Sequence, residues 1–333
     1  MKSLVFAQPG QMSIEDLPRP EPTGDEVLIK VEASGICGTD VHIFQGGFSC
    51  DYPLVPGHEF AGAVVEVGPA CTRFKVGDRV AVEPNVPCNN CPECLRGEHH
   101  YCRNMVVPGV NRPGGMAEYV LVKERGAFDI GTLPYDLGAL VEPLSCVVHA
   151  AERLAPQVGE RVLVMGAGPI GLLMGRMIRA RGAARVDYLE RNPDRRDYAA
   201  RMGLGHVYDT TDAIPDKAYD AAADATGVSA LVSEAVNRLV RPRGRVLVFG
   251  VPSQTAKIEI DHFRFYREEV QLIASFTSLK NSIQAVDIMA NEVIDVHDII
   301  SHKINLSDCP DFIRRMQAGD GDMRKVTVTD FAT

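Results

Sequence analysis

Residues 159–190 read GERVLVMGAGPIGLLMGRMIRARGAARVDYLE, and the architecture follows from them. Arg161 to Met165 is a short apolar run of strand length. Leu172, Leu173, Met177 and Ile178 then recur at helical spacing, and Arg185 to Leu189 forms a second strand. Between the first strand and the helix stands GAGPIG, with Gly166, Gly168 and Gly171 in G-x-G-x-x-G register. In such a turn the first glycine permits the reversal and the second lets the backbone approach a pyrophosphate. The third lets helix and strand pack closely, with the helix N-terminus facing the anion. The motif alone is weak, because glycine-rich strand–helix turns also occur for structural reasons. Glu190 strengthens it: it ends the next strand, about 20 residues on, where a carboxylate accepts ribose hydroxyls and repels a 2′-phosphate. Arg191 beside it works the other way, since arginine accommodates that phosphate. The expected cofactor is a dinucleotide, NAD in preference to NADP, bound by Gly166, Gly168, Pro169, Ile170, Gly171, Glu190 and Arg191.

Downstream the alternation continues, with strands at Tyr219 to Ala223 and Arg245 to Phe249 and a helix from Leu231 to Val240 between them. Strands alternating with helices imply a parallel, doubly wound sheet. Upstream the texture differs: EVLIKVEASGIC, AGAVVEVG and DRVAVE are short Val/Ile runs broken by Gly, Pro and Asp, the mark of a β-rich domain. After about Ser275 the pattern is mixed and ends in KVTVTDF, a last strand. At 333 residues the chain suits two domains. A net charge of −9 argues against an extended surface for nucleic acid. Five apolar residues before Gln8 are too few for a secretory h-region, and no apolar run approaches a membrane span, so a cytoplasmic location is expected. There, cysteines point to metal or catalysis rather than disulfides, and the chain has nine.

Four of them crowd into CNNCPECLRGEHHYC: Cys88, Cys91, Cys94 and Cys102. The last spacing is too long for a bacterial ferredoxin run, where the fourth cysteine comes three residues on and precedes proline. Four thiolates around one tetrahedral zinc leave no open position, so the expected site is structural. A second set is dispersed. ICGTDVH carries Cys37, Thr39, Asp40 and His42, PGHEFAG carries His58 and Glu59, and VEPLSCVVHA carries Glu142. Each alone is commonly structural. Together they supply the thiolate, imidazole and carboxylates of a catalytic zinc with an open or water-filled position.

The order ICGTDVH, PGHEFAG, VGDRVAV, the four-cysteine loop, GGMAEY, EPLSCVVHA and VLVMGAGPIG resembles the zinc-dependent medium-chain dehydrogenase/reductases over nearly the whole chain. Within them it is most similar to the polyol dehydrogenases of sorbitol and arabitol type, with threonine dehydrogenases close behind. The resemblance implies an α/β chain: a GroES-like β-barrel catalytic domain over 1–145, with the structural-zinc lobe, and a Rossmann domain over 146–278. Residues 279–333 would then return to the catalytic domain. It implies a catalytic zinc held by Cys37 and His58, with Glu59 bound directly or through water and Glu142 as a further carboxylate near the metal. Thr39 falls at the hydroxyl that takes the substrate proton, and His42 at the histidine that passes it to solvent. Asp40 falls behind the ligands, partnered by Arg324 or Lys325. The helix leading into the Rossmann domain would start near Cys146. A homo-oligomer, tetramer or dimer, is implied as well.

EPLSCVVHA is closer to the polyol enzymes than to threonine dehydrogenases, whose equivalent stretch typically reads EPLGNAVH. The chain also has no Trp, and so lacks an aromatic feature common after CGTDVH in the latter. An amino-acid substrate needs a carboxylate clamp, for which Arg112 is the one candidate, whereas a vicinal diol suits a floor of Glu59 and Glu142. The expected reaction is oxidation of a secondary alcohol of a polyol or sugar alcohol to a ketone. The alternatives are L-threonine 3-dehydrogenation and a nucleotide-binding relative without catalysis.

Overall fold

The computed structural model describes residues 1–47 and 50–332. Its contacts divide the chain into two units. The first comprises Met1–Ser145, Leu279–Glu292 and the residues from Val296 onward; the second comprises Cys146–Ser278 with Val293–Asp295.

In the first unit, β1 (Lys2–Gln8) and β2 (Gln11–Asp16) form an antiparallel hairpin. A seven-stranded sheet carries the rest: β3 (Glu26–Ile36), β4 (Glu59–Val67), β5 (Arg79–Val82), β6 (Tyr119–Lys123), β7 (Ala127–Asp129), β14 (Ile300–Asn305) and β15 (Lys325–Asp330). The path runs β14-β15-β3-β4-β5-β7, with β6 also on β3. β15 lies antiparallel to β3, with Val326 opposite Ile36, so the last strand of the chain lies beside the strand that delivers Cys37. Val, Ile and Phe from the sheet and hairpin, including Phe6, Ile29, Phe60, Val80 and Val328, make one buried core. The four cysteines of 88–102 lie outside it in a small cluster joined by Met105.

In the second unit, β8 (Arg161–Met165), β9 (Arg185–Leu189), β10 (Val207–Tyr208), β11 (Tyr219–Asp224), β12 (Val240–Val248) and β13 (Gln271–Ala274) form a parallel sheet in the order β10-β9-β8-β11-β12-β13. Val162 to Met165 are fully buried, as central strands covered on both faces require. The order reverses between β8 and β11, and a ligand binds at the strand ends of such a switch point.

Two boundaries differ from the sequence reading. The helix expected from about Cys146 begins at Val141 and runs to Leu154. Pro143 is accommodated in its first turn, where proline lacks only an N–H that has no helical partner anyway. The helix expected at Leu231 to Val240 ends at Glu234 and passes through a π turn, Ala235–Leu239, into β12. The strand expected at Arg245 to Phe249 spans Val240–Val248, with Arg243 at positive φ and a shift in pairing against β11.

Candidate active site and metal centres

β3 ends at Ile36, and Cys37 caps the short helix Gly38–Phe44. The Cys37 amide donates to Asp40 Oδ2 at 2.8 Å, and the Gly57 amide donates to Asp40 Oδ1 at 3.2 Å. Asp40, wholly buried, thereby ties the Cys37 turn to the PGHEF turn, where Gly57 takes φ +93. His58 Nδ1 lies 3.6 Å from Asp40 Oδ1. Glu59 opens β4 opposite Gly35 of β3, and a Cβ at Gly35 would collide with the Glu59 carboxylate. Glycine there leaves the side chain its room.

Three potential ligands converge: the Cys37 sulfur, a His58 ring nitrogen and a Glu59 carboxylate oxygen all lie within 4.8 Å of one another. The surroundings suit a cation. Burial would lower the His58 pKa, but the Asp40 and Cys37 charges outweigh it and raise it well above the usual imidazole value. A pocket that draws a proton onto His58 offers the same field to a metal ion. Glu142, second residue of its helix, is not in this trio. It is buried close by, and its pKa rises to about 8 through desolvation, with the Glu59 and Glu83 charges adding and His58 and Lys325 opposing. Thr39 Oγ1 is 3.8 Å from the Cys37 sulfur, and His42, three residues on and exposed, shares its helix face.

The proposed partnership of Asp40 with Arg324 or Lys325 is not what the structure holds. Lys325 pairs with Glu59 Oε2 and donates to the Ile36 carbonyl at 3.2 Å. Arg324 donates to the Asp298 carbonyl. As first residue of β15, Lys325 crosses from the strand next to β3 toward the ligand on the strand beyond.

In the lobe, the sulfurs of Cys88, Cys91, Cys94 and Cys102 all lie within 4.8 Å of one another, and none of the four is in a disulfide. Cys91 and Cys94 sulfurs are 3.4 Å apart, near the roughly 3.8 Å edge of a tetrahedron with 2.3 Å zinc–sulfur bonds. Backbone amides of Asn90 and Cys91, with the neighbouring thiols, lower the Cys88 pKa to about 6 against some burial, while burial and the other thiols raise Cys94 to about 12. Four sulfurs gathered so closely fit a divalent ion.

In the second unit, Gly166 takes φ +99 at the end of β8, Gly168 caps the helix Pro169–Ala180 and Pro169 is its first residue. A Cβ on Gly171 would overlap the Gly166 carbonyl. Glu190 accepts from the Ala167 amide at 2.9 Å and the Asn192 amide at 2.8 Å, so its carboxylate closes onto the glycine turn, and Arg191 beside it is exposed.

Residues 23–132 match the alcohol dehydrogenase GroES-like domain family, and residues 135–319 match the glucose dehydrogenase C-terminus family. The chain belongs to the zinc-type medium-chain dehydrogenases of the polyol group. Among these dehydrogenases it is 34% identical to D-altritol 5-dehydrogenase of Agrobacterium fabrum, over 97% of this chain and 98% of that one. It is 31% identical to L-threonine 3-dehydrogenase of Rhizobium etli, over 96% of each. A zinc-binding dehydrogenase from Sinorhizobium meliloti 1021, solved bound to NADP, superposes with a TM-score of 0.94 at 35% identity, covering 98% of both chains. The fold and family expected from the motifs are therefore met, as is NAD(P)-dependent dehydrogenase activity. No helix among the described residues is long and apolar enough to cross a membrane.

For this dehydrogenase, sequence reasoning overlooked Glu83. It follows β5, is 7% exposed, and accepts from Asn85, Ser145 and Ser282. VGDRVAVEP was read for its strand, and a glutamate at a strand end carries no signal of burial.

Proposed function

We propose that this dehydrogenase oxidises a secondary alcohol of a polyol or sugar alcohol to the ketone, with two zinc ions per chain and NAD preferred over NADP. The observation that carries the reading is the convergence of Cys37, His58 and Glu59 in a buried pocket beside Glu142. Cys37 and His58 hold the catalytic metal with Glu59, directly or through water, and Glu142 contributes a further carboxylate. Zinc there lowers the pKa of an alcohol hydroxyl, and the nicotinamide accepts the hydride with its electron pair. Thr39 takes the hydroxyl proton and His42 passes it to solvent, so one alcohol and NAD⁺ give one ketone, NADH and a proton. Asp40 fixes the Cys37 and His58 turns, and Lys325 balances Glu59. Cys88, Cys91, Cys94 and Cys102 hold the structural zinc. The dinucleotide is bound by Gly166, Gly168, Pro169, Ile170, Gly171, Glu190 and Arg191, with Glu190 facing the ribose. The enzyme works in the cytoplasm as a homo-oligomer, tetramer or dimer.

The similarity to a D-altritol dehydrogenase and the carboxylate-rich floor support a polyol. The similarity to a threonine dehydrogenase keeps L-threonine as the second reading. A spectrophotometric screen of altritol, sorbitol, xylitol, arabitol and threonine with NAD and NADP in parallel decides between them. Turnover of threonine alone overturns the polyol reading, and fewer than two zincs per chain with no turnover overturns the catalytic one. Cys37→Ser and His58→Ala should abolish turnover while NAD still binds. Activity surviving in either refutes the metal site.

A further inference from the structure

Glu83 sits at a junction of three distant chain segments. Its own backbone is fixed at the end of β5, where its amide donates to the Gly126 carbonyl at 2.9 Å. Oε1 accepts from the Asn85 amide at 3.2 Å and the Asn85 side-chain nitrogen at 2.7 Å. Oε2 accepts from Ser282 Oγ at 2.8 Å and lies 3.3 Å from Ser145 Oγ. Both serines are fully buried. Ser145 lies one helical turn after Glu142, and its hydroxyl also reaches the Glu142 carbonyl at 2.7 Å. Ser282 begins the helix Ser282–Ala290, where the chain has returned to the first unit. A carboxylate has about four acceptor positions, and here three neutral donors converge on them, with the Ser145 hydroxyl, whose one proton is shared with the Glu142 carbonyl, as a fourth neighbour. A glutamine would turn one acceptor into a donor and break part of the set. A plain packing joint needs no ion, and burying one is unfavourable unless its bonds are made. The Glu83 charge also adds to the field at Glu142.

We infer that Glu83 is a positioning residue for Glu142: through Ser145 and Ser282 it locks the helix turn that carries Glu142 against the returning chain. The inference rests on the reading of Glu142 as an active-site carboxylate.

The test uses full-length, zinc-loaded enzyme and the best alcohol of the substrate screen. Glu83→Gln and Ser282→Ala should each lower kcat/KM for the alcohol by about 10- to 100-fold, the range of groups that orient a metal site from behind its ligands. NADH affinity, zinc content and melting temperature should stay as in the parent. Glu142→Gln should be impaired alone, and adding Glu83→Gln to it should cause no further loss, since both act through one group. Losses that multiply, or unchanged kcat/KM in both single variants, overturn the inference. So do losses that track a lowered melting temperature or zinc content in both. Should Glu83→Gln fail to fold, Ser282→Ala carries the same comparison. A fully active Glu142→Gln refutes the role of Glu142 and the inference with it. An impaired Glu142→Gln beside normal Glu83 and Ser282 variants refutes the inference alone.

Discussion

Replacing Lys325 with methionine keeps much of the apolar stem and removes the ammonium. The Lys325 and Glu59 side chains are 4% and 1% exposed, so the surviving carboxylate has almost no water to turn to. Removing one member of a buried ion pair costs about 3–5 kcal/mol. The imidazole of His58 in the same pocket offsets part of the lost charge, and uptake of a proton by Glu59 caps the loss. For a glutamate of ordinary acidity, with pKa about 4.3, that uptake at pH 7 costs about 3.7 kcal/mol. The sign of the pH dependence follows. The folded variant then binds one proton more than the unfolded chain, so its stability falls by about 1.4 kcal/mol for each pH unit between pH 5 and 7. The parent lacks this slope because the ammonium compensates the carboxylate. The penalty should therefore be at most about 3.7 kcal/mol at pH 7, up to a roughly 500-fold rise in opening, and at most about 1 kcal/mol at pH 5. Hydrogen exchange of peptides from β3 and β15 in metal-free protein, corrected for intrinsic rates, reads this opening directly. With zinc loaded, a divalent charge beside Glu59 takes over part of the ammonium's role and the acceleration should be smaller. Acceleration below tenfold at pH 7, or equal acceleration at pH 5 and pH 7, would refute the reasoning.

Gly171→Val places a side chain against the Gly166 carbonyl and opens the turn, so NADH binding, followed by its fluorescence, should weaken at least about 100-fold with the circular dichroism unchanged. Normal binding would clear the turn of its assigned role. Glu190→Ala removes a charged acceptor, and a hydrogen bond to a charged group contributes about 1.5–3 kcal/mol, so the preference for NAD over NADP should fall by about 10-fold or more. Equal loss for both cofactors refutes the ribose assignment. Cys94→Ser should drop one zinc per chain and expose 88–102 to protease, while kcat changes far less than in Cys37→Ser. An unchanged zinc content would sink the structural site.

Much of this was legible because the signals are local. The strands Arg161–Met165 and Arg185–Leu189 occupy the residues that the apolar pattern marks, since a buried parallel strand needs a continuous apolar run. The GAGPIG turn is forced by Gly166 and Gly171, whose Cβ atoms would collide, and the four cysteines are near one another in the chain. Lys325 was noticed and given the wrong partner. Charge alone could not choose between Asp40 and Glu59; the choice is made by β15 lying on β3 and β3 on β4, a pairing across the whole chain. Glu83 was missed for a related reason: its donors stand at positions 85, 145 and 282, and only folding gathers them. The helix start near Cys146 came from the resemblance, and the helix begins five residues earlier, at Val141, with Pro143 in its first turn.

The position of β15 also bears on how the protein is made. The ribosome releases Glu59 long before Lys325, and at about 5–20 residues per second the interval is roughly 10–50 seconds. During it, Cys146–Ser278 emerges as one stretch with its whole parallel sheet, while the sheet around Cys37 still lacks the strand that borders β3. The nascent chain thus acquires the parallel sheet of its second unit early and the strand that borders β3 last. A messenger cut short before codon 325 would yield a chain with that parallel sheet entire and Glu59 without its Lys325 partner.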